Sequence, residues 1–94
     1  MRDSTHASVC STVAAYFDVD PTHVKPEQWL RNDWGLDAIE LNILALRIEQ
    51  VEGVSIRTQD LNAVHTVGQL INLVRALHRK AELSVRDGTS EHGS

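Results

Sequence analysis

Apolar residues along the chain recur at intervals of three and four, the spacing that lines up one face of a helix. No segment keeps the alternation of a half-buried strand. Val9, Val13, Ala14 and Phe17 share one such face and predict a first helix over about Thr5–Phe17. The pattern then lapses from Asp18 to Leu36. Within that stretch, Asp20-Pro21 reads as an N-cap followed by proline at the first helical position, which predicts a short turn near Pro21–Val24. An irregular connection this long inside a small domain tends to carry function. Trp29 and Trp34 are expected to anchor it, with Trp34 mostly buried against the first helices.

Three further helices follow. Asp37 is a good N-cap and Glu40, three residues on, completes a capping box, so a second helix should start there. It should run to about Val51 or Glu52 and stop at Gly53, which takes the left-handed conformation readily. Val54-Ser55-Ile56 reads as extended and Thr58–Ala63 as a short third helix. Thr66-Val67-Gly68-Gln69 is a second capping box, opening a fourth helix through about Ala81 with a core stripe of Val67, Leu70, Ile71, Val74 and Leu77. The small, polar residues after Leu83 predict a disordered tail over 84–94 beyond a single domain at 1–83. The fold class is all-α.

The second helix is apolar on two sides. At ~100° per residue, Leu41, Leu44, Ala45, Ile48 and Val51 form one stripe. Ile39, Ile43 and Leu46 form another on nearly the opposite side. Glu40 and Arg47 separate the stripes on one flank, Asn42 and Glu49 on the other. Such a helix is either sandwiched in the core or presents one face to a partner.

Composition narrows the function. The chain has 94 residues, 41% of them apolar, and a net charge of −4. That balance argues against a nucleic-acid backbone or an anionic membrane as the main partner and fits docking onto basic protein surfaces. Residues 18–60 hold nine acids against four bases, so most of the negative charge lies on the long connection and the second helix. Cys10 stands alone, which excludes a disulfide framework and reads as a small core residue. The five histidines lack ligand spacing, so no metal is expected. Arg75, His78, Arg79 and Lys80 near the expected end of the fourth helix complement its dipole. No apolar run approaches the ~20 residues of a membrane span. Residues 1–6 lack a signal peptide's apolar stretch, and a cytoplasmic location is expected. There is no nucleophile–base pair in a recognisable context and no phosphate-cradling glycine loop, so the chain does not read as an enzyme.

The order of these pieces, with Asp33-Trp34-Gly35-Leu36-Asp37-Ala38-Ile39-Glu40-Leu41 opening the second helix, resembles an acyl carrier protein. The family signature there is D-L-G-x-D-S-[LI]. Ile56, ahead of the short third helix, and His65-Thr66-Val67-Gly68-Gln69-Leu70, opening the last, extend the resemblance over about Val9 to Leu77. It implies a four-helix bundle of acyl-carrier-protein type, with a long loop between the first two helices and a short third helix. It also implies a monomer that docks onto enzymes of fatty-acid, polyketide or specialised lipid or peptide biosynthesis. In the family, the signature serine receives a phosphopantetheine arm.

Here that position is Ala38. Transfer of the arm needs a hydroxyl to attack the pyrophosphate of coenzyme A, and a methyl group has no nucleophilic oxygen. The expectation is therefore no cofactor on this chain, and phosphopantetheine only if position 38 were serine. Two origins fit equally: replacement of an original serine, or a natural carrier-like protein that lost the arm and kept its docking surface. The residues expected to meet a partner are Asp37, Ile39, Glu40, Ile43, Leu46 and Glu49, with Ile43 standing where the resemblance implies an acid. Packing of Ile39, Ile43 and Leu46 under the long loop or the third helix is the competing assignment. Homodimerisation through the second stripe and sequestration of a free lipid between the helices are the alternative functions.

Overall fold

The computed structural model describes residues 4–91, with side chains through residue 81. Four α-helices run in the order α1 (Thr5–Phe17), α2 (Ala38–Glu52), α3 (Thr58–Asn62) and α4 (Val67–Glu91). A single 3₁₀ turn at Pro21–His23 interrupts the α1–α2 connection. Among the described residues there is no strand, only one antiparallel bridge between Trp29 and Thr66.

Each helix boundary has a local cause. α1 ends at Asp18, which adopts the left-handed conformation (φ 58°, ψ 47°). Its N–H reaches the Ala15 carbonyl at 3.3 Å and the Val19 N–H reaches that of Ala14 at 2.9 Å. Those two bonds are a Schellman motif, closed here by an aspartate rather than glycine. α2 opens with the expected box: the Asp37 carboxylate accepts from the Glu40 N–H at 2.8 Å, and Glu40 accepts from the Asp37 N–H at 3.2 Å. Gly53 ends the helix at φ 71°. α4 opens on Thr66 and Gln69, which exchange side-chain-to-backbone bonds of 3.1 Å each.

The core joins Val9 and Val13 of α1, Leu44 and Ile48 of α2, and Val67, Leu70, Ile71 and Val74 of α4. Leu30 and Leu36 of the long connection and Val64 before α4 seal it, all nearly inaccessible to solvent. The connection is ordered by backbone pairing with the start of α4. Leu30 N–H donates to His65 O (2.9 Å), Val67 N–H to Gln28 O (3.0 Å) and Gly68 N–H to Pro26 O (2.9 Å). A Cβ on Gly68 would stand 3.1 Å from Pro26 O, so the close approach depends on glycine there. Gln28 ties the loop to itself. Its Oε1 accepts from Lys25 N–H (2.8 Å) and Trp34 Nε1 (2.9 Å), and its Nε2 donates to His23 O (3.0 Å).

Four expectations need correction. Trp34 stacks on Phe17 with ring centroids 4.6 Å apart and is half-buried, but Trp29 is 46% exposed. Trp29 holds the loop through its backbone bridge to Thr66, and its exposed ring lies against that of His65 with centroids 6.0 Å apart. Val51, read as part of the inward stripe of α2, is 60% exposed, because at ~100° per residue it lies at the edge of that stripe, about 70° from its centre. α4 continues helical through Glu91, ten residues past Ala81. Residues 84–91 of the expected disordered tail are thus helical backbone, since extending an established helix needs only one residue ordered per bond gained. The rest of that tail, 92–94, lies outside the described residues. With the helix prolonged, the cations at 75–80 no longer sit at its end.

Candidate functional site

Asp37 fixes the site by starting α2 where it does. Ala38 is then the first helical residue, and it is exposed. Its carbonyl accepts from the Asn42 side-chain amide at 2.9 Å. Beside it opens a cleft of about 330 Å³, lined by buried Leu36, Leu61 and Val64 and by exposed Trp29, Arg31 and His65. Gly35 (φ 70°) turns the chain immediately before the cap. The helix start is fully capped, and its first residue presents a methyl group to solvent.

About 100° around the helix from Ala38 lies the second stripe. Ile39 is 71% exposed, Ile43 41% and Leu46 58%, so packing beneath the loop or α3 is not their role. The opposite stripe is where the core is: Leu44 and Ile48 are fully buried, Ala45 nearly so, and Leu41 packs partly against them. Of the flanking residues, Asp37 and Glu40 cap the helix and Arg47 lies over the Tyr16 ring, 5.7 Å from its centroid. Glu49 stands apart from this group. It is half-buried, and its carboxylate accepts the Ile56 N–H at 2.5 Å, holding the segment after Gly53 against α2.

Several of the acids also hold local bonds while remaining at the surface. Asp20 caps the 3₁₀ turn through Thr22 N–H (2.9 Å), Asp33 accepts from Trp29 N–H (2.6 Å), and Asp60 pairs with Arg57 (3.3 Å). Glu52 sits at the end of α2 with its side chain only 6% exposed. It accepts from Ser8 Oγ at 2.5 Å and lies 3.0 Å from His78 Nε2. This three-helix cluster went unread in the sequence, although the helical phase of Glu52 places it with Leu41 and Ala45 on the inward side. A buried carboxylate demands partners. Because Glu52 stands between Ser8 and His78, the histidine is not positioned to take a proton from the hydroxyl. Burial pushes the Cys10 thiol up from its ordinary 9.0, which keeps it in the unreactive form.

The family described as "Phosphopantetheine attachment site" matches residues 7–74, and the chain belongs to it. Similar proteins carry the same character. The chain is 34% identical over 61 residues to "Acyl carrier protein 2" of Ralstonia nicotianae, covering 65% of this chain and 75% of that protein. It is 31% identical over 70 residues to "Acyl carrier protein 2" of Pseudomonas aeruginosa (74% and 89%). It is 23% identical over 74 residues to "Meromycolate extension acyl carrier protein" of Mycobacterium leprae, covering 79% of this chain and 64% of that protein's length. The all-helical fold and the family agree, and the chain is a carrier-family protein rather than a catalyst. No helix among the described residues is long and apolar enough to cross a membrane. The group that gives the family its description needs an oxygen to bind through. Ala38 supplies none, so the residues present do not fit its attachment.

Proposed function

We propose that this chain works in the cytoplasm by docking onto the enzymes that handle acyl or related carriers, without carrying a phosphopantetheine arm itself. The observation that carries the reading is the pairing of a methyl group at position 38 with an otherwise intact helix start and an exposed apolar face beside it. Asp37, Ile39, Glu40, Ile43 and Leu46 form the docking surface, with Glu49 at its edge. A chain that had lost both the arm and its partners would have no use for three exposed large apolar residues on one helix, which favour association. The occupant enzymes belong to fatty-acid, polyketide or specialised lipid or peptide biosynthesis, and the chain regulates, scaffolds or decoys them.

Two measurements test this. In a titration against a carrier-handling enzyme, Ile39→Glu or Leu46→Glu should abolish binding and leave the helical circular-dichroism spectrum unchanged. Unchanged affinity would sink the docking surface. Incubated with coenzyme A and a broad-specificity phosphopantetheinyl transferase, the chain should gain no mass, whereas Ala38→Ser should gain one phosphopantetheine. A mass gain by the Ala38 chain would overturn the loss of carriage.

A further inference from the structure

Ile39, Ile43 and Leu46 lie at spacings of four and three, and the charges beside them suit one surface in particular. We propose that α2 pairs antiparallel with α2 of a second copy of this chain, across a twofold axis between Ile43 and Leu44. This uses the face that the docking reading assigns to enzymes and rests on that reading for the face alone.

The charge pattern names the occupant. Glu40 and Arg47 are seven residues apart, two helical turns, and so lie on the same flank of the stripe. When two identical helices run antiparallel about a twofold axis, each flank meets the same flank of the copy in reverse order. Glu40 then faces Arg47 of the second copy, and Arg47 faces its Glu40. The same register sets Ile43 beside its own counterpart and Ile39 near Leu46. A parallel arrangement would bring Arg47 to Glu49, whose carboxylate already accepts the Ile56 N–H, and would leave Glu40 facing Asn42.

Both charges are available. Among the described residues neither Glu40 nor Arg47 forms an ion pair. The capping box uses one oxygen of Glu40. Arg47 lies with its guanidinium carbon 5.7 Å from the centroid of the Tyr16 ring, a contact that leaves its N–H groups without a carboxylate partner among the described residues. The patch is small. Three apolar side chains from each copy bury far less than the ~800 Å² per partner of a standard interface, so a dissociation constant of about 10⁻⁴ M is expected. At lower concentrations the chain is the monomer its family resemblance implies, with the face open; self-association at high local concentration would cover it.

Sedimentation velocity over concentrations spanning tenfold either side of that value tests the pairing. The sedimenting mass should double across the range. Ile43→Glu should abolish the change, and Arg47→Glu or Glu40→Arg alone should weaken association about tenfold, since each replaces two attractive pairs with two repulsive ones. The double exchange, Glu40→Arg with Arg47→Glu, should restore it to within a few-fold, each variant keeping the parent helical spectrum. A constant mass at every concentration, or a double exchange no better than the single ones, would overturn the pairing. Enzyme titration in the micromolar range reads docking separately. Self-association without enzyme binding removes the docking reading alone, and enzyme binding without self-association removes this one alone.

Discussion

Leu44, Ala45 and Ile48 on one side of α2, and Ile39, Ile43 and Leu46 on the other, are nearly interchangeable as collections of side chains. Their surroundings differ completely. The first three are at most 6% exposed, against 41–71% for the second three. Burying one Leu or Ile contributes about 1.5–3 kcal/mol, so the inward face is a substantial part of what holds the bundle together. The outward face returns none of that to folding. A helix propensity argument does not separate the two, because both faces sit on the same well-capped helix. What separates them is whether another element is present to cover them, the core built with α1 and α4 on one side and nothing among the described residues on the other. Apolar residues left where the fold does not bury them are the ground on which the docking proposal stands.

The largest test of this comparison is a matched pair of truncations. Leu44→Ala should lower the unfolding free energy by about 2–5 kcal/mol, through lost transfer energy and the cavity left behind. Leu46→Ala, the same chemical change two residues on, should stay within about 0.5 kcal/mol. Urea denaturation at constant m-value measures both. Similar losses for the two would mean the outward face packs in solution and would break the contrast. Next in size is the buried acid at the end of the inward side. Glu52→Ala leaves Ser8 and His78 without their shared acceptor and should cost about 1–3 kcal/mol. A loss as small as that of an exposed carboxylate would show that the three-helix cluster does not form.

Much of this was legible before any coordinates, for reasons that can be traced to particular residues. α1 and the start of α2 follow from short-range rules: periodic Val9, Val13 and Phe17, and an Asp37–Glu40 box that binds its own backbone. The double apolar character of α2 is also a one-dimensional property. Which stripe faces inward is not, since that depends on helices distant in sequence. The order of the long loop rests on Gln28, Pro26 and Gly68, whose bonds join backbone segments some forty residues apart and leave no periodic trace. The local bonds of the acids were not legible in a count of charges. Nine acids in residues 18–60 look like a docking surface when counted, yet Asp20, Asp33, Asp37, Glu40, Glu49, Glu52 and Asp60 each hold a bond within the chain. In the candidate site itself, the expectation for Ala38 came from chemistry alone, and the structure adds that this residue is exposed at the first position of α2.

The phase of both faces depends on where α2 begins, so the cap is the third test. Asp37→Ala removes the acceptor for the Glu40 N–H and should cost about 1 kcal/mol, the usual loss for an N-cap aspartate. It should also fray the first turn and loosen Ile39 more than Leu44. Amide exchange resolved along α2 would show protection falling at Glu40 and Leu41, whose N–H groups both bond to Asp37, while residues 44–48 keep theirs. Uniform loss along the helix would mean that the inward packing relies on the cap, and the two faces would then not be energetically separable.

Acid carries the smallest expected effect, and it extends the contrast from apolar to charged groups. Asp20 is fully exposed, yet the Thr22 N–H, and after it the Thr22 hydroxyl, hold its carboxyl below the ordinary 3.8. A carboxylate whose folded value is depressed contributes stability that is complete above its unfolded value and is lost as pH falls through the folded one. The turn at Pro21–His23 should therefore stay closed down to 3.8 and open only below it. Because the group is at the surface, the change should be local, confined to Thr22 and His23, with the methyl signals of Leu44 and Ile48 unmoved over the same step. Following the Thr22 amide by NMR as the solution is acidified gives the midpoint directly. A midpoint at or above 3.8 would mean that the cap does not hold the carboxylate. A simultaneous shift of the inward methyls would show that this exposed acid is coupled to the core, as the comparison says it should not be.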